Sequence, residues 1–210
     1  MSDRPEPFSG RVIEIIAVLV LGITTLGTAW CSYEAYQWNR EEATLAQQAT
    51  TEQLEASRLF GLATQKVSYD SVALGEYAVA YRAGDEKLMQ FYRTSLMRPA
   101  LLPFLDEWVA EAKAGRAPQN LLSNAAYMDQ VMADYNAASV QTAELDRQSG
   151  EAGTVAQRYL VTTILLAIGL FFGGVTTSFR WPAAKIAIIA LALIAVALAA
   201  ARLVDLPVRL

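Results

Sequence analysis

The chain has no histidine and a single cysteine among its 210 residues. The first absence removes the commonest general base, the usual pH switch and the commonest metal ligand. A Ser/His/Asp triad is therefore impossible. The second absence excludes an intrachain disulfide. Cys31 also has no cation near it in sequence to stabilise a thiolate, so its thiol reads as inert. Basic charge is scarce too: 17 Lys and Arg face 21 Asp and Glu, a net charge of −4 that leaves no electrostatic footprint for nucleic acid. No glycine-rich phosphate loop, metal-ligand cluster or paired-carboxylate motif stands out. These absences argue against an enzyme, and no cofactor or metal is expected.

Charge of either sign is nearly absent from three runs. These are Val12 to Trp30, Tyr159 to Phe179 and Ala183 to Val204. Each has about 20 residues, the length of helix that crosses a hydrocarbon core of about 30 Å. Apolar residues make up 54% of the chain, above the roughly 45–50% of soluble domains. The runs predict transmembrane helices over 12–31, 159–179 and 183–204. The first is too long for a cleaved signal peptide and leads into further helix-forming sequence. The stretch around Cys31 superficially resembles a lipoprotein cleavage site, but Trp30 stands where a small residue is needed. An uncleaved signal anchor is expected. Only Arg180, Trp181 and Pro182 join the second and third spans, and Pro182 suits a first helical turn, so a tight hairpin is predicted.

The short flanking segments set the orientation. Arg4, Arg11, Arg180 and Lys185 share one side, and Arg202 and Arg209 the other. Four against two places 1–11 and the 180–182 turn in the cytoplasm by the positive-inside rule. Residues 32–158, with 17 acids and 11 bases, would then lie outside with the tail 205–210.

Proline is also missing from Ser32 to Arg82, where Gly61 and Gly75 are the only glycines. Ala, Gln, Glu, Leu and Arg dominate, all good helix formers. Phe60, Val67, Leu74 and Tyr81 recur every seven residues, a coiled-coil-like seam suited to a partner helix. Gly84 fits a C-terminal cap and Asp85 an N-cap. A second helical stretch, with Leu88, Phe91, Tyr92 and Leu96 on one face, ends at Pro99. A short amphipathic helix follows, with Pro103 near its start and Gly115 at its end. Met128, Met132, Tyr135, Ala138, Thr142 and Leu145 are spaced by three or four, as on a return helix. Gly150 and Gly153, in "QSGEAGT", predict a hinge there. No strand is expected. The predicted fold is an all-α membrane protein, with three transmembrane helices and a long antiparallel helical stalk over 32–158.

"AWCSYEAYQW", "AGDEKLMQFYR", "PFLDEW" and "FFGGVTTSFRWP" together resemble an uncharacterised family of bacterial three-span inner-membrane proteins with a helical extracytoplasmic domain. The resemblance covers most of the chain. It implies a bacterial inner-membrane location and supplies no activity and no site residues.

Several residues are candidates for function. Trp30, Tyr33, Tyr36, Trp38, Tyr159 and Trp181 stand where spans surface and read as an interfacial aromatic belt. Glu14, one turn into the first span, is expected to pair with Arg11 or snorkel. Glu34 is expected to face water, or else to meet cations at a pore mouth. With Glu14 and Glu34, Thr24, Thr28 and Thr162 are candidates for an ion pathway, and Thr25, Thr163, Thr176 and Thr177 lie in the same runs. Threonines also bond to their own helix or its neighbours. Gly169 with Gly173, and Ala195 with Ala199, are small pairs that let helices approach closely. The expectation is a non-enzymatic, self-associating scaffold or sensor in the bilayer, with an unknown protein partner through the stalk. The alternative is an oligomeric ion channel with threonine-lined spans and an acidic outer vestibule.

Overall fold

A computed structural model describes residues 8–179 and 181–209, with the side chains of residues 8–11, 13, 177 and 182 outside that description. Among the described residues there are helices and no strands. The main helices are α1 (Phe8–Ala83), α2 (Glu86–Phe91), α3 (Leu102–Lys113), α4 (Ala125–Val175) and α5 (Pro182–Val204). Three of them, α1, α4 and α5, contain stretches long and apolar enough to cross a membrane. The first run and the following sequence form one uninterrupted helix of 76 residues, as the lack of proline allows. Arg4, Arg11 and Arg180, on which the orientation rests, lie outside the described residues or side chains.

The helix ends are written in the local sequence. Gly84 adopts φ +69°. Its N–H donates to Tyr81 O at 3.2 Å and that of Asp85 to Ala80 O at 3.1 Å, the paired bonds of a Schellman cap. Asp85 then starts α2 by accepting from the Leu88 N–H at 3.0 Å. Gly115, with φ +71°, closes α3 in the same way, with Arg116 N–H donating to Glu111 O at 3.0 Å. The stretch after α2 departs from a simple helix. It widens into a π-helical turn, Tyr92–Leu96, closed by Met97 N–H donating to Tyr92 O at 2.9 Å. Met97 and Arg98 are extended, the conformation that Pro99 imposes on the residue before it.

The chain divides into two compact units, residues 1–47 with 146–210 and residues 48–145. The second is narrower than the 32–158 expected from the apolar boundaries. An apolar run marks where lipid should end, whereas packing decides which residues form one body. In the first unit, many of the buried positions are small or hydroxylic, among them Ala17, Thr24, Thr162, Ala192, Ala195 and Ala199, beside a few larger ones such as Val20, Leu166 and Ile189. Large apolar side chains point outward instead, among them Val18, Leu26, Ile164, Phe171, Ile194 and Leu198. Small residues inside and large apolar ones outside suit helices packed in lipid, where no hydrophobic force draws large side chains inward. A Cβ on Gly169 would lie 3.1 Å from Thr24 Cγ2 and 3.2 Å from Val196 Cγ2, so α4 packs closely on both α1 and α5.

In the second unit, Val67, Leu74 and Tyr77 pack with Met97, Leu101, Phe104, Leu105, Leu121, Tyr127 and Val131. The predicted seam is occupied unevenly. Val67 and Leu74 are buried, while Phe60 is half exposed with its ring 5.3 Å from that of Tyr135. A deeper heptad runs through Ala49, Ala56, Ala63, Asp70 and Tyr77, all buried.

The predicted hinge at Gly150 and Gly153 is absent: α4 is helical throughout Gln148–Thr154. Helical glycines cost about 1 kcal/mol each relative to alanine, but their neighbours anchor the helix. Ala152 and Ala156 are buried, and Ser149 Oγ donates to Glu42 O at 3.1 Å. A Cβ on Gly153 would meet the Glu42 carboxylate at 2.7 Å, the mobile end of a long side chain that can turn aside. Nothing lies within 4 Å of a Cβ on Gly150. Gly150→Ala is therefore expected to stabilise the protein by about 0.5–1 kcal/mol. Thermal unfolding in detergent checks this, and a clear loss of stability would restore the hinge.

Candidate functional site

Two polar centres are buried, one in each unit. In the first unit the fully buried Glu34 carboxylate sits on α1. Its Oε2 accepts the Arg209 backbone N–H at 3.1 Å, and its Oε1 has no hydrogen-bond partner. Tyr159, also buried, donates its hydroxyl to Pro207 O at 3.0 Å. The Arg209 guanidinium lies 4.5 Å from the centroid of the Trp38 ring and 2.9 Å from Glu41 Oε2. That pairing holds the Glu41 carboxyl below its ordinary range and raises Arg209. The Trp38 indole N–H is buried without a partner. Leu206 closes the cluster among Cys31, Ala35, Tyr159, Leu166 and Ala199. The C-terminal segment is thus strapped onto α1 and α4 by hydrogen bonds at Glu34 and Tyr159, an ion pair at Glu41 and an aromatic contact at Trp38.

Glu34 therefore does not face water, as its polar neighbours in sequence suggested. The sequence around it shows aromatics four residues before and after it, Trp30 and Trp38, but the segment that buries it lies 175 residues away. The six belt aromatics divide. Trp30, Tyr33, Tyr36 and Trp181 are exposed, whereas Tyr159 is buried and Trp38 half-buried. The two inward residues hold the tail. Glu14 is exposed beside Ile15, Val18 and Leu19, and its suggested partner Arg11 is outside the described side chains.

The threonines spend their hydroxyls on their own helices. Thr24 donates to Val20 O at 2.7 Å, Thr28 to Thr24 O at 2.6 Å and Thr25 to Leu21 O at 2.7 Å. Thr162, Thr163 and Thr176 bond to Arg158 O, Tyr159 O and Phe172 O at 2.8–3.0 Å. The Thr177 side chain is outside the description. Gly169 and Gly173 both lie against α1, and Ala195 and Ala199 are buried on α5.

The second centre escaped the sequence reading. Asp70, fully buried on α1, accepts both Nε (2.9 Å) and Nη2 of Arg98 and the Tyr127 hydroxyl at 2.6 Å. Burial, then the bond to Asp70, pushes the Tyr127 hydroxyl far above its ordinary pKa, while the bond to Asp70 raises Arg98. Tyr69, next to Asp70, donates its hydroxyl to Leu96 O at 2.8 Å. The arrangement ties α1, the extended residues before Pro99 and the first turn of α4. Its acceptors are occupied by protein donors, so its chemistry is that of a structural lock. A cleft of about 310 Å³ in the same unit, between Leu74, Trp108 and Asn120, carries no acid, base or thiol in its lining. Among the described residues no three acidic or cysteine side chains converge on a metal position. Comparison with family models, curated proteins and solved structures finds no match to this chain.

Proposed function

We propose that this chain is a multi-pass bacterial inner-membrane protein, cytoplasmic at its N-terminus, whose extracytoplasmic helical domain acts by self-association as a scaffold or sensor rather than by catalysis. The location draws on the three apolar helices, the distribution of short-loop cations and the resemblance to bacterial three-span proteins. The observation that carries self-association is an apolar stripe on α1 within 48–145. Val72 and Val79 recur at seven residues on the face away from Ala63, Asp70 and Tyr77, with Leu62 and Tyr69 exposed on its flank. Val72 and Val79 are 67% and 65% exposed. Within that unit the pairs Asp70–Tyr127 and Phe60–Tyr135 match rising with falling numbers, which supports an antiparallel arrangement of α1 and α4. The stripe lies on the side of α1 that α4 leaves open.

One experiment tests both halves of the reading. Val72→Cys in a Cys31→Ser background is expected to react with a membrane-impermeant thiol reagent in intact cells. On mild oxidation it should give a disulfide-linked dimer several-fold faster than Lys87→Cys. Labelling only after lysis would reverse the orientation, and equal cross-linking at both positions would remove the stripe as a contact.

The unpartnered Oε1 of Glu34 favours a second reading, an ion channel, because an intramembrane or interfacial carboxylate with spare acceptor capacity suits a cation. The threonine bonds to their own helices weigh against a polar lining. Liposome flux with wild type and Glu34→Gln at two salt concentrations is expected to show no sizeable current in either. A wild-type current that loses cation selectivity in the variant would promote the channel.

A further inference from the structure

We propose that a cleft beside the end of α5 binds the headgroup of an amino-phospholipid, its phosphate held by Arg158 and Arg202 and its ammonium by Asp205. The cleft encloses about 210 Å³ and is lined by Arg158, Thr162, Arg202, Asp205 and Leu206. All five belong to one compact unit. The inference rests on reading α4 and α5 as membrane spans, and it adds a ligand to that reading.

Depth comes first. Arg158 immediately precedes the apolar run that begins at Tyr159, and Arg202 lies in the last turn of α5. Both guanidiniums therefore stand where hydrocarbon gives way to headgroups. One turn further into the spans, Leu160, Val161, Ile164 and Leu198 are exposed apolar side chains, suited to the acyl chains of a lipid whose headgroup is in the cleft. The cleft itself is smaller than the roughly 300–1,000 Å³ of drug-sized pockets, which fits a headgroup without its chains.

Charge comes second. Arg58, Arg93, Arg98, Arg147 and Arg209 each hold a carboxylate. Among the described residues Arg158 and Arg202 hold none, nor does Asp205 pair with a cation. Arginine matches phosphate with a planar fork of donors. Two such groups on one cleft, unpaired and at headgroup depth, are a phosphate site.

The carboxylate decides among headgroups. Asp205 in the same lining would repel a purely anionic headgroup and can accept hydrogen bonds from a primary ammonium. A choline headgroup carries a cation but no N–H to donate. Thr162, fully buried beneath the cleft, donates its hydroxyl to Arg158 O at 2.9 Å and so ties its side chain to the backbone at Arg158. Two cations and one anion complement a phosphate joined to an aminoethyl group.

The test uses the full chain purified in detergent. Phosphatidylethanolamine, phosphatidylglycerol and phosphatidylcholine of matched acyl chains are titrated, with bound lipid read by native mass spectrometry and protection by thermal shift. Wild type is expected to bind phosphatidylethanolamine at least tenfold tighter than phosphatidylcholine. Arg158→Gln with Arg202→Gln should lose at least tenfold in affinity for phosphatidylethanolamine, while Arg158→Lys with Arg202→Lys retains most of it. Asp205→Asn should bring phosphatidylethanolamine and phosphatidylglycerol within about threefold of each other, because it removes the ammonium acceptor and the repulsion together. Soluble phosphoethanolamine and inorganic phosphate should give no shift at millimolar concentration. Equal binding of the three lipids to wild type, or unchanged binding to the glutamine variant, would overturn the headgroup site. Protection by inorganic phosphate as strong as that by lipid would make it a free-phosphate site instead. If the glutamine variant does not fold, the lysine and Asp205→Asn variants decide the matter. A protein that still partitions into membranes after these failures keeps its spans and loses only the headgroup assignment.

Discussion

Asp70→Ala is expected to destabilise the 48–145 unit by about 3 kcal/mol, the lower end of the range for breaking a buried ion pair. The carboxylate is fully buried, and it accepts from Arg98 twice and from Tyr127 once. Its loss leaves the buried Tyr127 hydroxyl without an acceptor, which costs about 1–3 kcal/mol. Arg98 is 29% exposed at its side chain, so water takes back part of its solvation and moderates the penalty. The opposite truncation should be worse. Arg98→Met leaves a wholly buried carboxylate with a single phenolic donor, and the loss should approach about 5 kcal/mol. Tyr127→Phe, which spares the ion pair, should cost about 1 kcal/mol. Chemical denaturation of the full chain in detergent gives the order. Hydrogen exchange should show residues 92–101 loosening first in Asp70→Ala, because Arg98 is what holds the extended segment before Pro99 against α1. A loss under about 1 kcal/mol for Arg98→Met would mean that water reaches Asp70, and the lock would be no more than a surface pair.

Why this lock was illegible while the helix ends were legible follows from range. Gly84, Asp85 and Gly115 act on backbone groups within five residues, so the chain spells out its own caps. Asp70 and Arg98 are 28 residues apart, and Asp70 and Tyr127 are 57 apart. Nothing in the neighbourhood of Asp70 announces either partner. Its register did carry a signal. Ala49, Ala56, Ala63, Asp70 and Tyr77 are spaced by seven, but alanine and aspartate are not hydrophobic enough to compete with Phe60, Val67, Leu74 and Tyr81. Small residues mark the closest approach of helices, and large ones fill the flanks, so the most hydrophobic heptad was not the deepest. Glu34 illustrates the same limit: a carboxylate among aromatics reads as solvated until the tail at Arg209 is seen to cover it. The hinge expected at Gly150 and Gly153 rested on intrinsic helix propensity, a term of about 1 kcal/mol per residue that anchoring neighbours outweigh. Hydropathy, by contrast, needs no partner. The three apolar helices were legible because length and composition alone define them.

Gly169→Leu is expected to do the greatest damage to the apolar unit. A Cβ at 169 would press on Thr24 of α1 at 3.1 Å and on Val196 of α5 at 3.2 Å, with the Ala192 carbonyl oxygen 3.5 Å away. Three helices meet at this glycine, and leucine would add three more carbons where no room exists. Overpacking of this kind typically costs about 1–3 kcal/mol in a core that can shift. Here relief for one neighbour drives the side chain toward the other, so the upper end or beyond is expected. Gly169→Ala asks only for a shift of a few tenths of an ångström and should cost well under 1 kcal/mol or so. At Gly173 the nearest atoms, Val20 Cγ1 and Leu21 Cδ2, would be 3.4 and 3.5 Å from a Cβ, ordinary contact distances. Gly173→Ala should therefore be neutral or slightly stabilising, while Gly173→Leu combined with Gly169→Leu should deepen the loss. Gly22, on the same helix as Thr24, has nothing within 4 Å of a Cβ. Gly22→Leu adds the same bulk on an open face of α1 and should leave stability nearly unchanged. Thermal unfolding and particle mass of the five variants in one detergent give the comparison. If Gly22→Leu and Gly169→Leu lose equal stability, added bulk alone is harmful and the meeting of α1, α4 and α5 at Gly169 is not what holds the spans together. If only Gly169→Leu fails, the small residues of α4 are the contact surface that lets three apolar helices pack in lipid.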